Sequence, residues 1–296
     1  MPGARVFTRS LDDALRYAST YPILINETDI EDQKTAEFGA IAGAQKVLTT
    51  ANWEKHFTLT GWQRTTHMLN VKDAVVAGES VPCYFLPFLP NHSTTMTLGA
   101  NCDWFFTSTL TGCTVQVVGP ANAPTVTHAN ARDVYNAGVA ATRPTNGGAM
   151  VPWDEITDTG KVHIDVTAAA HAQTTMNGLL PAAGGAVSGT LQRRTYVNQV
   201  TRANVQWGKD HFEGFEDGEQ FGDNVAASKT TAGKYEVGVC FFGHRVAATG
   251  DWQFYHQTTV SIRGDFLKKH WFRRNERNGV YGNAIVLGAP TRLRLQ

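Results

Sequence analysis

Residues 105–130 read Phe105-Phe106-Thr107-Ser108-Thr109-Leu110-Thr111-Gly112-Cys113-Thr114-Val115-Gln116-Val117-Val118-Gly119-Pro120-Ala121-Asn122-Ala123-Pro124-Thr125-Val126-Thr127-His128-Ala129-Asn130. The run divides into an approach strand, a tight turn at Thr111-Gly112, a strand over 113–118, a turn, and a return strand over 125–130. Val115, Val117, Val118, Thr125, Val126 and Thr127 supply the β-branched content. Gly119-Pro120 and Ala123-Pro124 bracket the connection, because a proline there ends a ladder. If residues 119–124 form a symmetric loop, Val118 lies opposite Thr125, Val117 opposite Val126, Val115 opposite His128 and Cys113 opposite Asn130. Side chains alternate between faces along a strand. Cys113, Val115 and Val117 then share a face with Val126, His128 and Asn130, and Cys113 and His128 become diagonal neighbours with Cβ atoms roughly 5–8 Å apart. A slip of one residue would put them on opposite faces.

This register makes Cys113 and His128 a candidate nucleophile and base. A free thiol has a pKa near 8.5 and is mostly protonated at neutral pH. A neighbouring imidazole can take that proton and stabilise the thiolate that attacks an amide carbonyl. Backbone N–H groups near Gly112-Cys113 are candidates to hold the oxyanion, and Gly112 suits a sharp turn with an accessible backbone. The alternative is structural: cysteine is among the most buried residue types, and a Cys and a His in a β-protein often only pack.

Leu110-Thr111-Gly112-Cys113 resembles the Leu-Ser-Gly-Cys motif of the cysteine-dependent glutamine deamidase toxins. These are the catalytic domain of the cytotoxic necrotizing factors and the Burkholderia lethal factor, with the chemoreceptor deamidase CheD more distantly related. Thr111 departs from the motif Ser but keeps its hydroxyl. In the necrotizing factors the motif Cys is followed by a catalytic His at a similar separation to that of Cys113 and His128. In the lethal factor and CheD a Thr six residues before the Cys belongs to the site, and Thr107 matches it. In the necrotizing factors an upstream backbone carbonyl orients the His, and Val81 lies in about the right region. The resemblance covers residues 81–130, and more loosely the stretch from Gly250 to Gln257. It implies a mixed α/β (α+β) fold with a central β-sandwich of mixed sheets, flanked by helices and long loops. It also implies hydrolysis of a protein glutamine side chain to glutamate by Cys113, His128 and Thr107.

The whole chain sets wider bounds. It has 296 residues, enough for a substantial core, with 26 basic and 26 acidic residues and no net charge. That balance argues against nucleic-acid binding by bulk electrostatics. No apolar run approaches the length of a membrane span, and residues 1–10 lack the apolar region of a signal peptide. Cys83, Cys102, Cys113 and Cys240 are too sparse for a disulfide scaffold and are expected to be reduced. No Cys-x-x-Cys and no His pair at helical spacing occurs, so a zinc site is not expected, and no cofactor is expected. The resemblance adds a biological reading: a bacterial toxin or effector, secreted without a classical signal peptide and acting in a host cytosol. Its partner would be a host protein carrying a reactive glutamine, and the chain is expected to be a monomer.

Residues 1–50 read as a helical region packed on or leading into the core, and 51–296 as the catalytic domain. Ser10 caps a helix start with Asp12 and Asp13 in its first turn. A second helix is expected from Thr28 through Val47. Strands are expected over 56–62, 66–71, 81–89, 94–98, 104–107, 162–166, 195–207, 234–242 and 252–262, with 284–287 and 292–295 closing the sheet. Residues 131–141 read as a short helix, and 181–189 as a flexible small-residue segment. His92, in Asn91-His92-Ser93, reads as an exposed loop residue and a secondary candidate for the base. The acidic and aromatic stretch 211–223 lacks the spacing of a calcium loop and reads as a surface loop or substrate-selecting loop. The basic stretch 267–277 reads as a solvated face. A transglutaminase or a cysteine peptidase would use the same Cys–His pair, and a non-catalytic binding protein would use neither.

Overall fold

The computed structural model describes residues 5–39, 46–50, 53–62, 66–73, 75, 80–152, 155–182, 187–197, 212–213, 235–262, 265–266, 283–286 and 289–296. In chain order these form α1 (Arg5–Arg9), α2 (Leu11–Thr20), β1 (Ile23–Asn26), a 3-10 turn (Thr28–Ile30), α3 (Glu31–Phe38) and β2 (Val47–Thr49). There follow β3 (Glu54–Trp62), β4 (Thr66–Lys72), β5 (Val81–Leu86), β6 (Ser93–Thr97), β7 (Trp104–Thr107), β8 (Thr114–Gly119) and β9 (Thr125–Ala129). Then come α4 (Arg132–Thr142), β10 (Thr145–Asn146), β11 (Ala149–Met150), α5 (Asp158–Leu179), β12 (Val187–Leu191) and α6 (Arg193–Val197). The remainder is β13 (Phe212–Glu213), β14 (Tyr235–Arg245), β15 (Trp252–Ile262), β16 (Asp265–Phe266), β17 (Asn283–Val286) and β18 (Thr291–Arg292).

The chain is a mixed α/β protein built on two sheets. The large sheet runs β1-β4-β3-β5-β7-β14-β15-β17, with β18 also on β15, and the small sheet runs β12-β8-β9-β6-β2. Both are mixed: β1 lies parallel to β4 and β5 to β7 in the large sheet, and β2 parallel to β6 in the small one.

The two faces of the large sheet have different partners. Trp104 and Phe106 of β7 point to the side where Phe7 of α1 packs, with Phe57 and Phe242. Phe105 points to the other side, against Phe241 and Phe254, and Thr107 shares its parity. That second face meets the small sheet. The far face of the small sheet is covered by helix: Ser93 Oγ donates to the Leu179 carbonyl at 3.2 Å, and Gln173 of α5 bonds Thr114. Ala129, Ala131, Ala172, Met176 and Leu179 close this outer core.

The large sheet is curled. Gln257 on β15 accepts from the N–H of Ile23 on β1 at 2.8 Å and donates to the carbonyls of Ala18 and Tyr21. β1 and β15 sit six places apart in the strand order. This contact brings the first strand back toward the seventh, with α2 inside the curve.

Several elements differ from the sequence reading. Ser10 caps α2 through the Asp13 N–H at 3.0 Å, as its chemistry requires. Residues 1–50 are not a helical region alone: β1 is an edge strand of the large sheet and β2 an edge strand of the small one. The helix expected to reach Val47 ends at Phe38, and Val47 lies in β2 opposite Ser93. Residues 162–166 lie in α5, not in a strand. Val162, Ile164 and Val166 alternate locally, but Ile164, Ala168, Ala172, Met176 and Leu179 are buried at intervals of three and four, and that longer period decides. Thr157 caps this helix through the Gly160 N–H at 3.2 Å. Within the segment read as flexible, 187–189 belong to β12; of the strand expected over 195–207, residues 195–197 lie in α6 and 198–207 lie outside the described residues. Apart from Phe212 and Glu213, the acidic stretch 211–223 lies outside the described residues, as does the basic stretch 267–277. Three of the late strands form close to the expected bounds as β14, β15 and β17, whereas the strand expected over 292–295 is the short β18 at Thr291–Arg292; β17 and β18 both pair with β15. No helix among the described residues is long and apolar enough to cross a membrane.

The Gln257 contact predicts a stability effect. Gln257→Ala leaves one N–H and two carbonyls short of partners in the core. Urea unfolding should show a loss of about 2–4 kcal/mol, from the cost of buried unsatisfied polar groups. Gln257→Glu keeps the acceptor for Ile23 but not the donors, and should also destabilise. A midpoint unchanged in both variants would show that the clamp carries no stability.

Candidate functional site

The motif stretch crosses from one sheet to the other. β7 ends at Thr107 in the large sheet, Leu110 exchanges backbone hydrogen bonds of 3.0 and 2.9 Å with Val239 of β14, and β8 begins at Thr114 in the small sheet. The approach strand and the strand after Cys113 therefore belong to different sheets, and the bend at Thr111-Gly112 is the crossing point. β8 and β9 pair with Val118 opposite Thr125, Val117 opposite Val126, Val115 opposite His128 and Thr114 opposite Ala129. This is the register of the symmetric loop. It is pinned from the large sheet, where the Trp252 N–H donates to the Ala121 carbonyl at 2.8 Å.

His128 is held across the gap between the sheets. Its Nδ1 lies 2.7 Å from Thr107 Oγ1, which also donates to the Leu86 carbonyl at 2.7 Å. A carbonyl only accepts, so the single hydroxyl proton goes to Leu86, and the oxygen accepts from His128. Nδ1 must then carry the ring proton, which leaves the lone pair of a neutral imidazole on Nε2. Nε2 is buried and has no hydrogen-bond partner among the described residues. The Phe88 ring packs 5.7 Å from the imidazole.

Cys113 is held separately. Asn130 Nδ2 lies 3.3 Å from its Sγ, as expected for the residue directly opposite. The Cys113 carbonyl accepts from the Tyr196 hydroxyl of α6 at 3.1 Å. Arg193, at the start of α6, pairs with the fully buried Asp165 of α5 at 3.3 Å, and Tyr135 of α4 donates to the same carboxylate. The helical layer thus reaches the backbone of Cys113 through Tyr196.

Thiol and imidazole are both neutral. Cys113 is 2% exposed, and burial pushes its pKa up to about 11, partly offset by hydrogen bonds from Asn130 and the backbone at Thr111 and Gly112. His128 is 1% exposed, and burial lowers its pKa to about 3, with the charge of Lys34 acting in the same direction. Lys34 of α3 pairs with Glu27 at 3.0 Å, and Glu27 also accepts from Ser108, the residue after Thr107, at 2.8 Å. The N-terminal region therefore supplies a charged pair on the His128 side of the site. No ion pair forms between Cys113 and His128 in this state.

The other expected site residues fall as follows. Gly112 does not have a left-handed backbone, and a Cβ added there would meet nothing within 4 Å, so its flank is open. Val81 lies opposite Phe57 at the far end of β5, five steps or about 16 Å of strand from Leu86. The carbonyl that orients the imidazole, through Thr107, is that of Leu86 and not of Val81. His92 is buried at 6% exposure, not exposed as read. Its Nδ1 bonds the Pro90 carbonyl at 2.7 Å, and its own carbonyl accepts from the Asn130 N–H at 2.9 Å.

Asn130 and Leu86 are the residues that sequence reasoning missed as parts of the site. For Asn130 the signal was present, since the hairpin register already put it opposite Cys113. Leu86 had none, because its place depends on the parallel pairing of β5 with β7, where Leu86 lies beside Thr107. Among the described residues no three His, Cys, Asp or Glu side chains are grouped to hold a metal ion. Comparison of the sequence with known family models gives no match, and neither does comparison with curated proteins.

The buried neutral imidazole predicts a pH effect. Its folded pKa lies below the ordinary 6.5, so the unfolded chain binds the proton first as pH falls. The contribution is fully present above about 6.5 and is lost as pH falls toward about 3. Melting temperatures from pH 7 to pH 4 should fall more steeply for wild type than for His128→Gln, which can still donate to Thr107. Parallel curves for the two proteins would mean that His128 is not held neutral.

Proposed function

We propose that this chain is a cysteine-dependent protein glutamine deamidase, of the kind it resembles over residues 81–130. One observation carries the reading: His128, fixed by Thr107 with a bare Nε2, stands one diagonal step from Cys113 on the inner face of the small sheet. A general base needs a fixed tautomer and a free lone pair within reach of the proton it takes.

In this reading the Cys113 proton passes to His128 Nε2 as sulfur attacks the glutamine δ-carbonyl. Backbone N–H groups at Gly112-Cys113 receive the developing oxyanion. The tetrahedral intermediate collapses to a thioester when His128 returns the proton to the departing nitrogen, releasing ammonia. A water then gives its proton to Nε2 and attacks the thioester. Glutamate leaves and the thiol is restored. Because the resting groups are neutral, the proton moves with the attack instead of residing on a preformed imidazolium. A neutral amide thereby becomes a charged carboxylate that only accepts hydrogen bonds, a change able to lock a switch protein. This fits a bacterial toxin or secreted effector acting on a host protein.

Transglutamination and peptide hydrolysis share the acyl-thioester and differ only in acceptor and leaving group. A second reading, in which Cys113 is a structural thiol of a binding protein, is favoured by its burial and raised pKa.

The experiment is incubation of the purified chain with a mammalian cytosolic extract, with ammonia release and +1 Da shifts at glutamine as readouts. Conversion should be abolished in Cys113→Ser and fall roughly 100-fold or more in His128→Ala, the scale of general-base catalysis. In Thr107→Val, where the ring loses its acceptor, it should drop by an intermediate amount with the fold intact. Conversion that persists in Cys113→Ser, or an absence of conversion by wild type, would overturn the enzyme reading in favour of the structural thiol.

A further inference from the structure

The two halves of the site are polarised in one direction. At one end the donor sequence runs from His128 Nδ1 to Thr107 Oγ1 and on to the Leu86 carbonyl. At the other end is the Asn130 carboxamide. Its Oδ1 accepts the N–H of Asn91 at 3.1 Å and that of Arg132 at 3.0 Å, while its Nδ2 points at Cys113 Sγ at 3.3 Å. Oδ1 has two lone pairs and both are engaged, so the amide cannot flip without losing two backbone bonds. Asn91 is the one non-glycine residue with positive φ among the described residues, at 61°, and its side chain accepts the Asp133 N–H at the start of α4. A backbone conformation that L-residues seldom adopt is thus held where it delivers an N–H to Asn130.

We infer that Asn130 is a positioning residue for the nucleophile: its amide donates to sulfur, so that the thiol proton is left for the bare Nε2 of His128. Sulfur that accepts from Asn130 has its own S–H free to donate. On this face His128 Nε2 is an unpartnered acceptor one diagonal step away; His92 Nε2 is also unpartnered, on a residue bonded to Asn130 through its backbone. Once the proton has moved, the same amide faces the thiolate as a donor. A donor to the charged form favours it. Asn130 thereby does for sulfur what Thr107 does for the imidazole, and the two fixed groups leave one hydrogen bond to be made between them.

The kinetic part of this inference rests on the deamidase reading, but the thiol chemistry does not. The test is Asn130→Asp, which keeps an oxygen for the Asn91 and Arg132 N–H groups and replaces the sulfur donor with a carboxylate. Those two bonds favour the ionised carboxylate. The readouts are the iodoacetamide rate at Cys113 under native conditions by peptide mass spectrometry, its pH profile, and kcat and KM for glutamine conversion. The variant should fold. Its Cys113 labelling at pH 8 should slow roughly tenfold or more, equivalent to at least one pKa unit. The midpoint of the profile should rise, and kcat should fall with KM little changed. Asn130→Ser, which is too short to reach sulfur, should shift the profile the same way and serves if the aspartate variant does not fold. Wild-type labelling rates and midpoints in these variants would overturn the inference even where wild type converts glutamine, and so would a wild-type Cys113 that takes no label. Labelling that depends on Asn130 in a protein that converts no glutamine would sink the deamidase reading and leave Asn130 in its place.

Discussion

One hydroxyl joins the two sheets at the point that matters. Thr107 lies at the end of β7 in the large sheet, gives its proton to the Leu86 carbonyl and accepts from His128 of the small sheet. A buried hydroxyl must satisfy itself locally, and beside a carbonyl it has only one way to do so. That choice fixes the histidine tautomer and leaves the lone pair on Nε2. It holds only while β5 and β7 stay in parallel register and the sheets stay at packing distance, so the whole sandwich is in effect the support for one imidazole. Valine would fill nearly the same volume but could not carry this information.

Burial governs the electrostatics of the site. In a medium that penalises charge, a thiol and an imidazole rest as neutral groups, and each is tied to a different neighbour, Asn130 and Thr107. In the proposed deamidase reaction this pair transfers a proton during attack and stores no charge beforehand. The charge that acts on the imidazole is that of Lys34, paired with Glu27, which in turn holds Ser108. A cation there opposes protonation of His128 and keeps its lone pair available.

The N-terminal residues are structural partners of the site and not an appendage. They add an edge strand to each sheet, and Phe7 of α1 packs into the aromatic face behind β7. Gln257 then draws β1 toward β15 and curls the large sheet around α2. A curled sheet with a helix on its concave side presents a firm convex face, where Phe105, Phe241 and Phe254 back the residues that meet the small sheet.

The sequence by itself determined the hairpin at the site. Prolines and a glycine bound a six-residue loop, the loop length sets the register, and strand parity puts Cys113, His128 and Asn130 on one face; these are short-range constraints that any local conformation must obey. The cap at Ser10 and the late strands were legible for the same reason, whereas the mixed α/β class came from the resemblance. Residues 162–166 misled because five residues cannot separate a period of 2 from one of 3.6, and Val47 because β2 exists only by pairing with β6. Only the tertiary structure decided that the approach strand and the strand after Cys113 belong to different sheets, that Leu86 and not Val81 supplies the carbonyl, and that His92 is buried. It also decided that Cys113 and His128 both rest neutral. Each of these depends on which distant strand lies alongside and how much water is excluded, and neither is written in local spacing.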